Sequence, residues 1–152
     1  MTDTLSFSSS SPRLGLPLLF SGQAQKEVYV NEALSLVDAM AHCTIEGSAT
    51  TPPASPTNGN NWLVASTATG DWAGQDGKIA CWQSGNWLFV APFDGLRVFN
   101  RSTHQFAYYS GGWKIPVAVI APSDGTTIDT QARSTLANLI SALQTAGILP
   151  GG

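Results

Sequence analysis

One short form, aromatic-x-Ser-Gly-x-Trp, is written twice in this chain, as Trp82-Gln83-Ser84-Gly85-Asn86-Trp87 and as Tyr108-Tyr109-Ser110-Gly111-Gly112-Trp113. Ser-Gly between runs of aromatic and β-branched residues marks a tight hairpin loop, and an Asp-Gly turn pair precedes each copy, at Asp76-Gly77 and Asp94-Gly95. A two-residue loop at Ser84-Gly85 sets Gln83 opposite Asn86 and Trp82 opposite Trp87, with Ala80 and Phe89 on the same face. Ile79, Cys81, Leu88 and Val90 then share the other face. The same register in the second copy sets Tyr108 across from Trp113, beside Phe106 and Ile115, and turns Tyr109 away. Both faces of the first hairpin are apolar, so both need cover, from the core or from another subunit.

Further short runs punctuated by turn pairs extend this pattern. Strands are expected near Trp62 to Ser66, Lys78 to Gln83, Asn86 to Val90, Leu96 to Asn100, Gln105 to Tyr109 and Trp113 to Ile120. Asn31 followed by Glu32 suits a helix start, and Val30, Ala33, Leu34, Val37 and Met40 recur at helical spacing, which predicts a helix from about Asn31 to Ala41. An earlier helical turn at Gln23 to Val28 is left open. Near the other end Asp129 can cap a helix, Leu136, Leu139, Ile140 and Leu143 form its stripe, and Gly147 and Pro150 close it. That stripe is too short for an independent coiled coil; it packs on the β part or on copies of itself. The expected class is mainly β with flanking α. The division is an arm, flexible or docking, at 1–20, a helical anchor segment at 21–48, a Pro/Gly/Asn linker at 49–61, a small antiparallel β domain of repeated hairpins at 62–121, and a C-terminal helix and tail at 122–152.

Charge is scarce. Of 152 residues 11% are charged, against the roughly 25% usual in soluble domains, while 43% are hydrophobic. A surface so poor in charge points to cover by neighbouring subunits, hence to a homo-oligomer or assembly component. The net charge of −3, with seven Lys and Arg scattered along the chain, gives no basic stripe for nucleic acid. No run of about 18 apolar residues offers a membrane span, and the start lacks the pattern of a signal peptide, so the expected site of synthesis is the cytoplasm. The arm opens with a serine-rich stretch, Ser6 to Ser11, interrupted by Phe7.

Catalytic chemistry finds little support. His42 and His104 lie in different regions, no Gly-x-Ser-x-Gly elbow exists, and Cys43 and Cys81 are spaced as buried thiols rather than as a metal or redox pair. Asp76, Asp94 and Asp124 each precede Gly, as turn residues do. Asp71 and Asp76 in one loop are too few oxygen ligands for calcium. No catalytic residue, metal or cofactor is expected. Aromatic rings are the better candidates for recognition, because their flat faces stack on sugars. Trp72, in a loop, and Tyr109, turned away from Tyr108 and Trp113, are the two expected to stand exposed as a glycan site.

A second set of residues carries a resemblance. Leu14-Gly15-Leu16-Pro17, Gly22-Gln23-Ala24-Gln25-Lys26-Glu27-Val28 and Asn31-Glu32-Ala33-Leu34 open the chain, followed by Pro52-Pro53-x-Ser55-Pro56, Thr69-Gly70-x-Trp72-Ala73-Gly74, Asp76-Gly77-x-Ile79-Ala80 and Gly85-x-Trp87. This pattern, from about Arg13 to Trp113, resembles an uncharacterised structural family of phages, prophages and alphaproteobacterial gene transfer agents. The resemblance implies a virion or transfer-particle component, such as a head spike or fibre that attaches to the capsid and contributes to host-cell attachment, and no catalytic residues. The apolar arm residues Leu14, Leu16, Pro17, Leu18, Leu19 and Phe20 are then the candidate anchor or oligomer contact. Partners would be copies of itself, capsid or other particle proteins, and a cell-surface polysaccharide. The alternatives are a polysaccharide-binding module or a tail fibre or baseplate component.

Overall fold

The computed structural model describes residues 9–19, 22, 26–123, 125 and 128–150. The expectations for Met1 to Ser8, Phe20, Gln23 to Gln25 and Asp124 lie outside these residues. The architecture is mainly β with flanking helices. After the arm comes helix α1 (Lys26–Met40), then strands β1 (Thr44–Ile45), β2 (Ser48–Ala49), β3 (Asn61–Val64), β4 (Ile79–Gln83), β5 (Asn86–Val90), β6 (Arg97–Asn100), β7 (Gln105–Tyr109) and β8 (Trp113–Lys114), and helix α2 (Thr130–Thr145).

The strands form two four-stranded sheets built to one plan, in the orders β1-β6-β7-β8 and β2-β3-β4-β5. In each, a two-residue strand runs parallel to the first strand of an antiparallel meander, β1 to β6 and β2 to β3. The sheets are thus mixed, where the turn pairs alone predict antiparallel pairing throughout. Residues 44–49 give one strand to each sheet within six positions, so they tie the sheets together. Between the sheets lies one core containing Ile45, Leu63, Ile79, Cys81, Leu96, Val98 and Ala107, together with Ala39 and Cys43 from the end of α1 and its turn. The boundary drawn at 49–61 therefore does not part the helix from the β domain. That segment is itself stitched to the first hairpin, through Gly59 N–H donating to the Trp82 carbonyl at 2.9 Å and Ser84 N–H to Asn58 Oδ1 at 2.7 Å.

The first hairpin has the expected register, with Trp82 opposite Trp87 and Gln83 opposite Asn86. Ser84 and Gly85 hold φ of 49° and 83°, the left-handed pair a twisted two-residue loop requires. One face enters the shared core. The other, with Ala80, Trp87 and Phe89, meets Val64, Trp62 and Trp72 in a second cluster, so the chain itself covers both faces. Trp72 comes from a 3-10 turn (Gly70–Trp72) in the connection between β3 and β4. It is 0% exposed, with its ring centroid 5.1 Å from that of Trp87 and 6.3 Å from that of Trp62.

The second hairpin is shifted by one position. Tyr109, not Tyr108, stands opposite Trp113, which leaves three residues, Ser110 to Gly112, in the loop. The cause is a distant acid: Asp94 Oδ1 accepts from Gly111 N–H at 2.9 Å, and Ser110 N–H closes on the Gly112 carbonyl at 2.9 Å. The eighth strand also stops early, because Pro116 has no N–H to continue the ladder. Phe106 N–H instead donates to the Gly147 carbonyl at 2.6 Å, and Gln105 Nε2 takes the Pro116 carbonyl at 2.9 Å.

Both helices differ from a simple packed stripe. The first begins at Lys26, five residues before Asn31, so Asn31 is not its cap. The second is capped as expected, by Asp129 accepting from Ala132 N–H at 2.9 Å, yet it buries none of its residues. Gly147, at φ 68°, ends it, and a Cβ there would lie 3.2 Å from the Phe106 ring.

Since Trp72 fills a closed aromatic cluster, Trp72→Ala is expected to lower unfolding stability by about 3–5 kcal/mol. Urea unfolding followed by circular dichroism measures this, and a loss under about 1 kcal/mol would contradict the placement of Trp72.

Candidate functional site

The N-terminal arm and α1 form a unit through two reciprocal contacts. Asp38, fully buried near the end of α1, accepts hydrogen bonds from Ser11 Oγ at 2.7 Å, Arg13 N–H at 3.1 Å and Leu14 N–H at 2.5 Å. Arg13 returns its guanidinium to the carbonyls of Asp38, Ala39 and His42, at 2.5, 2.8 and 3.1 Å. A helix C-terminus presents unsatisfied carbonyls and partial negative charge, so a cation with several donors is well matched to it. Farther along, Asn31 pairs with the Leu19 backbone both ways, accepting from its N–H at 2.8 Å and donating to its carbonyl at 3.0 Å. The arm is not fully extended: Leu18 N–H bonds the Ser9 carbonyl, and Ser11 N–H the Leu16 carbonyl.

This lock divides the stripe expected of α1. The polar residues Asn31 and Asp38 face the arm, Ala39 enters the core and Met40 packs against it. Val30, Ala33 and Val37 of that stripe are exposed, and so are Val28 and Tyr29, the latter at 77%. Of the anchor candidates in the arm, Leu14 and Pro17 are exposed, Leu16, Leu18 and Leu19 are half-buried, and Phe20 lies outside the described residues. Arg13, Asp38 and Asn31 carry the geometry here. The signal for Asp38 is a single acid in the otherwise uncharged run Leu34 to Met40.

The two residues expected to stack on a sugar are not on an open face. Trp72 is fully buried, because the rings of Trp62 and Trp87 pack against it in the second cluster. Tyr109 is half-buried against the shared core, with its ring edge-on to Trp113 at 5.5 Å, while the one-residue shift leaves Tyr108 47% exposed. Asp76 gives both carboxylate oxygens to loop amides, those of Thr67 and Ala68. His42 and His104 are exposed turn residues with φ of 51° and 52°. Among the described residues no three acids, cysteines or histidines converge, and no helix is long and apolar enough to cross a membrane.

Two shallow clefts share the outer side of the first sheet. One, of about 340 Å³, is lined by Gly95, Arg97, Phe106, Tyr108, Pro116 and Ile148. The other, of about 390 Å³, includes His42, Cys43 and Phe99. Arg97, which lines both, lies over the Phe106 ring at 4.6 Å. Cys43 offers no nucleophile there. Burial pushes its thiol from the ordinary 9.0 up to about 11, with the Arg13 charge opposing, and burial together with Cys43 pushes Cys81 up to about 12.

These raised values mean that the folded chain holds its thiol protons more tightly than the unfolded one. Their contribution to stability is complete below pH 9 and lost as pH rises from there toward 11 and 12. Urea midpoints measured across that range should fall less steeply for Cys81→Ala than for the native chain; equal slopes would contradict the burial of a protonated thiol.

The model of a protein family described as a protein of unknown function, DUF2793, matches residues 30–114. The match runs from within α1 to the last residue of β8 and so contains both sheets. No curated protein matches the sequence. Since the matched region makes up more than half of its length, the chain belongs to the DUF2793 family.

Proposed function

We propose that the chain is a structural subunit of a phage-like particle, part of a head spike or fibre, which attaches to the capsid or a neighbouring particle protein through its N-terminal unit. The carrying observation is the outward face of α1. Tyr29, Ala33 and Val37 recur every four residues along α1, with Val30 beside them, and all four are exposed. A helix normally turns its apolar stripe inward. Here the hydrogen bonds of Asp38 and Asn31 fix the polar side against the arm, which leaves a rigid apolar stripe available to another protein. Scarce charge and the resemblance of the Leu14 to Leu34 motifs to phage and transfer-agent structural proteins support the same reading. Contribution to host-cell attachment and residence in the released particle follow as parts of it. With Trp72 buried and Tyr109 packed beside the core, no specific observation favours the alternative of a polysaccharide-binding module at those residues.

Removing the arm is a poor test, because it also takes away the partners of a buried carboxylate. Substitution of the exposed stripe separates the two effects. Tyr29→Gln with Val37→Gln should change stability by no more than about 0.5 kcal/mol each, as surface substitutions do. It should reduce the subunit carried per purified particle by about tenfold, the effect of losing a central interface anchor. Quantitative mass spectrometry of particles from the producing cells reads this, and full occupancy by the doubly substituted chain would reject the attachment role of α1.

A further inference from the structure

The outer face of the first sheet carries a row of three cross-strand neighbours. Arg97 of β6 stands opposite Tyr108 of β7, and Tyr108 stands opposite Lys114 of β8. Residues paired across an antiparallel ladder share a face, so one tyrosine has a cation on each side, and all three residues are exposed. Two strand spacings, about 10 Å, separate the backbones of Arg97 and Lys114, a gap that two long side chains can span over Tyr108.

Most cations of this chain are already engaged. Of its seven Lys and Arg, Arg13 holds the carbonyls at the end of α1, Lys78 Nζ donates to Gln75 Oε1, Arg101 pairs with Glu46, and Arg133 donates to the Pro122 carbonyl. Among the described residues the side chains of Lys26, Arg97 and Lys114 have neither an ion pair nor a hydrogen bond, and two of these three stand in the one row. The guanidinium of Arg97 rests on the Phe106 ring, which covers a face of it and leaves its N–H edge unpaired. Asp94, the acid closest to it along the chain, gives Oδ1 to the Gly111 amide. Beside the row lies the cleft of about 340 Å³ whose apolar walls are Phe106, Pro116 and Ile148.

We infer that this face binds an acidic segment of another protein, with an Asp or Glu carboxylate set between Arg97 and Lys114 and a neighbouring apolar side chain in the cleft. The contact is separate from the attachment assigned to α1 and does not rest on it. Charge selects the acid, since a guanidinium edge offers parallel N–H donors to a carboxylate and the ammonium opposite adds a second positive charge. The cleft selects a peptide. A sugar needs a hydrogen-bond partner for each of its hydroxyls, and the side chains lining the cleft supply only the Tyr108 hydroxyl and the Arg97 guanidinium. Nucleic acid calls for a longer track of cations, and an anionic lipid surface for a cluster of about four or more.

Nuclear magnetic resonance titration of the full chain tests this, with a capped peptide of alternating leucine and aspartate and the same peptide carrying asparagine for aspartate. The aspartate peptide should shift the amides of β6, β7 and β8, with an affinity that falls as salt rises. Arg97→Gln with Lys114→Gln should weaken binding about fivefold to tenfold, while Arg97→Lys with Lys114→Arg, which keeps both charges, should lose less. Both pairs should leave the urea midpoint close to that of the native chain, because both positions are exposed. Equal binding of the asparagine peptide, unchanged affinity in the glutamine pair, or no shift with millimolar aspartate peptide would overturn the inference. Tighter binding of an oligoglucuronate at the same residues would overturn the choice of a peptide over a sugar.

Discussion

Asp38 and Arg13 hold each other's backbones, and much of the N-terminal third depends on that exchange. The carboxylate takes amides from the arm, and the guanidinium takes carbonyls from the end of the helix. Each thus satisfies groups that burial would otherwise leave unpaired, at a cost of roughly 1–3 kcal/mol apiece. The consequence reaches the core. With the end of α1 fixed, Ala39 sits among the sheet residues, and its carbonyl also accepts from Asn61 Nδ2 at 3.3 Å, where β3 begins. The same side chain donates to the Thr44 carbonyl at 3.2 Å, so helix, β1 and β3 meet at one buried amide.

From that point residues 44–49 divide between the sheets, and the two meanders follow one plan with one difference. The β3 to β4 connection is long and folds Trp72 over the outer face of its sheet. The β6 to β7 connection is short and covers nothing. The outer face of that sheet, with Phe99 and Phe106, is met by Gly147 instead, and the clefts beside Arg97 are what remains open. Pro116 belongs to this difference. Past the end of the ladder, Phe106 N–H donates to the Gly147 carbonyl, the Pro116 carbonyl accepts from Gln105 Nε2, and Val117 to Ala121 make no hydrogen bond among the described residues.

The parts of this arrangement readable in the sequence were those fixed locally. Ser84-Gly85 admits a two-residue loop, and the period of two then places every side chain of β4 and β5. Ser110-Gly111-Gly112 admits two or three residues, and the choice is made by Asp94, too far along the chain for a local pattern to reveal. Asn31 has the composition of a cap, but the helix starts earlier in a stretch without apolar period, and the amide serves Leu19 instead. Trp72 looks exposed because loops usually are, whereas three indoles, Trp62, Trp72 and Trp87, brought together from separate segments create an interior where none is visible in sequence. The parallel strands β1 and β2 were illegible for a simpler reason: at two residues each, neither has a pattern to read.

The chain thus closes its β core with its own tryptophans and leaves its apolar helix faces and the segment 117–121 outside. Hydrogen exchange resolved by residue tests this division most directly. Amides of β4, β5 and β7 should exchange only through global unfolding, while those of 117–121, which make no hydrogen bond among the described residues, exchange freely. Protection of 117–121 equal to that of the strands, or free exchange of β4 and β5, would contradict it.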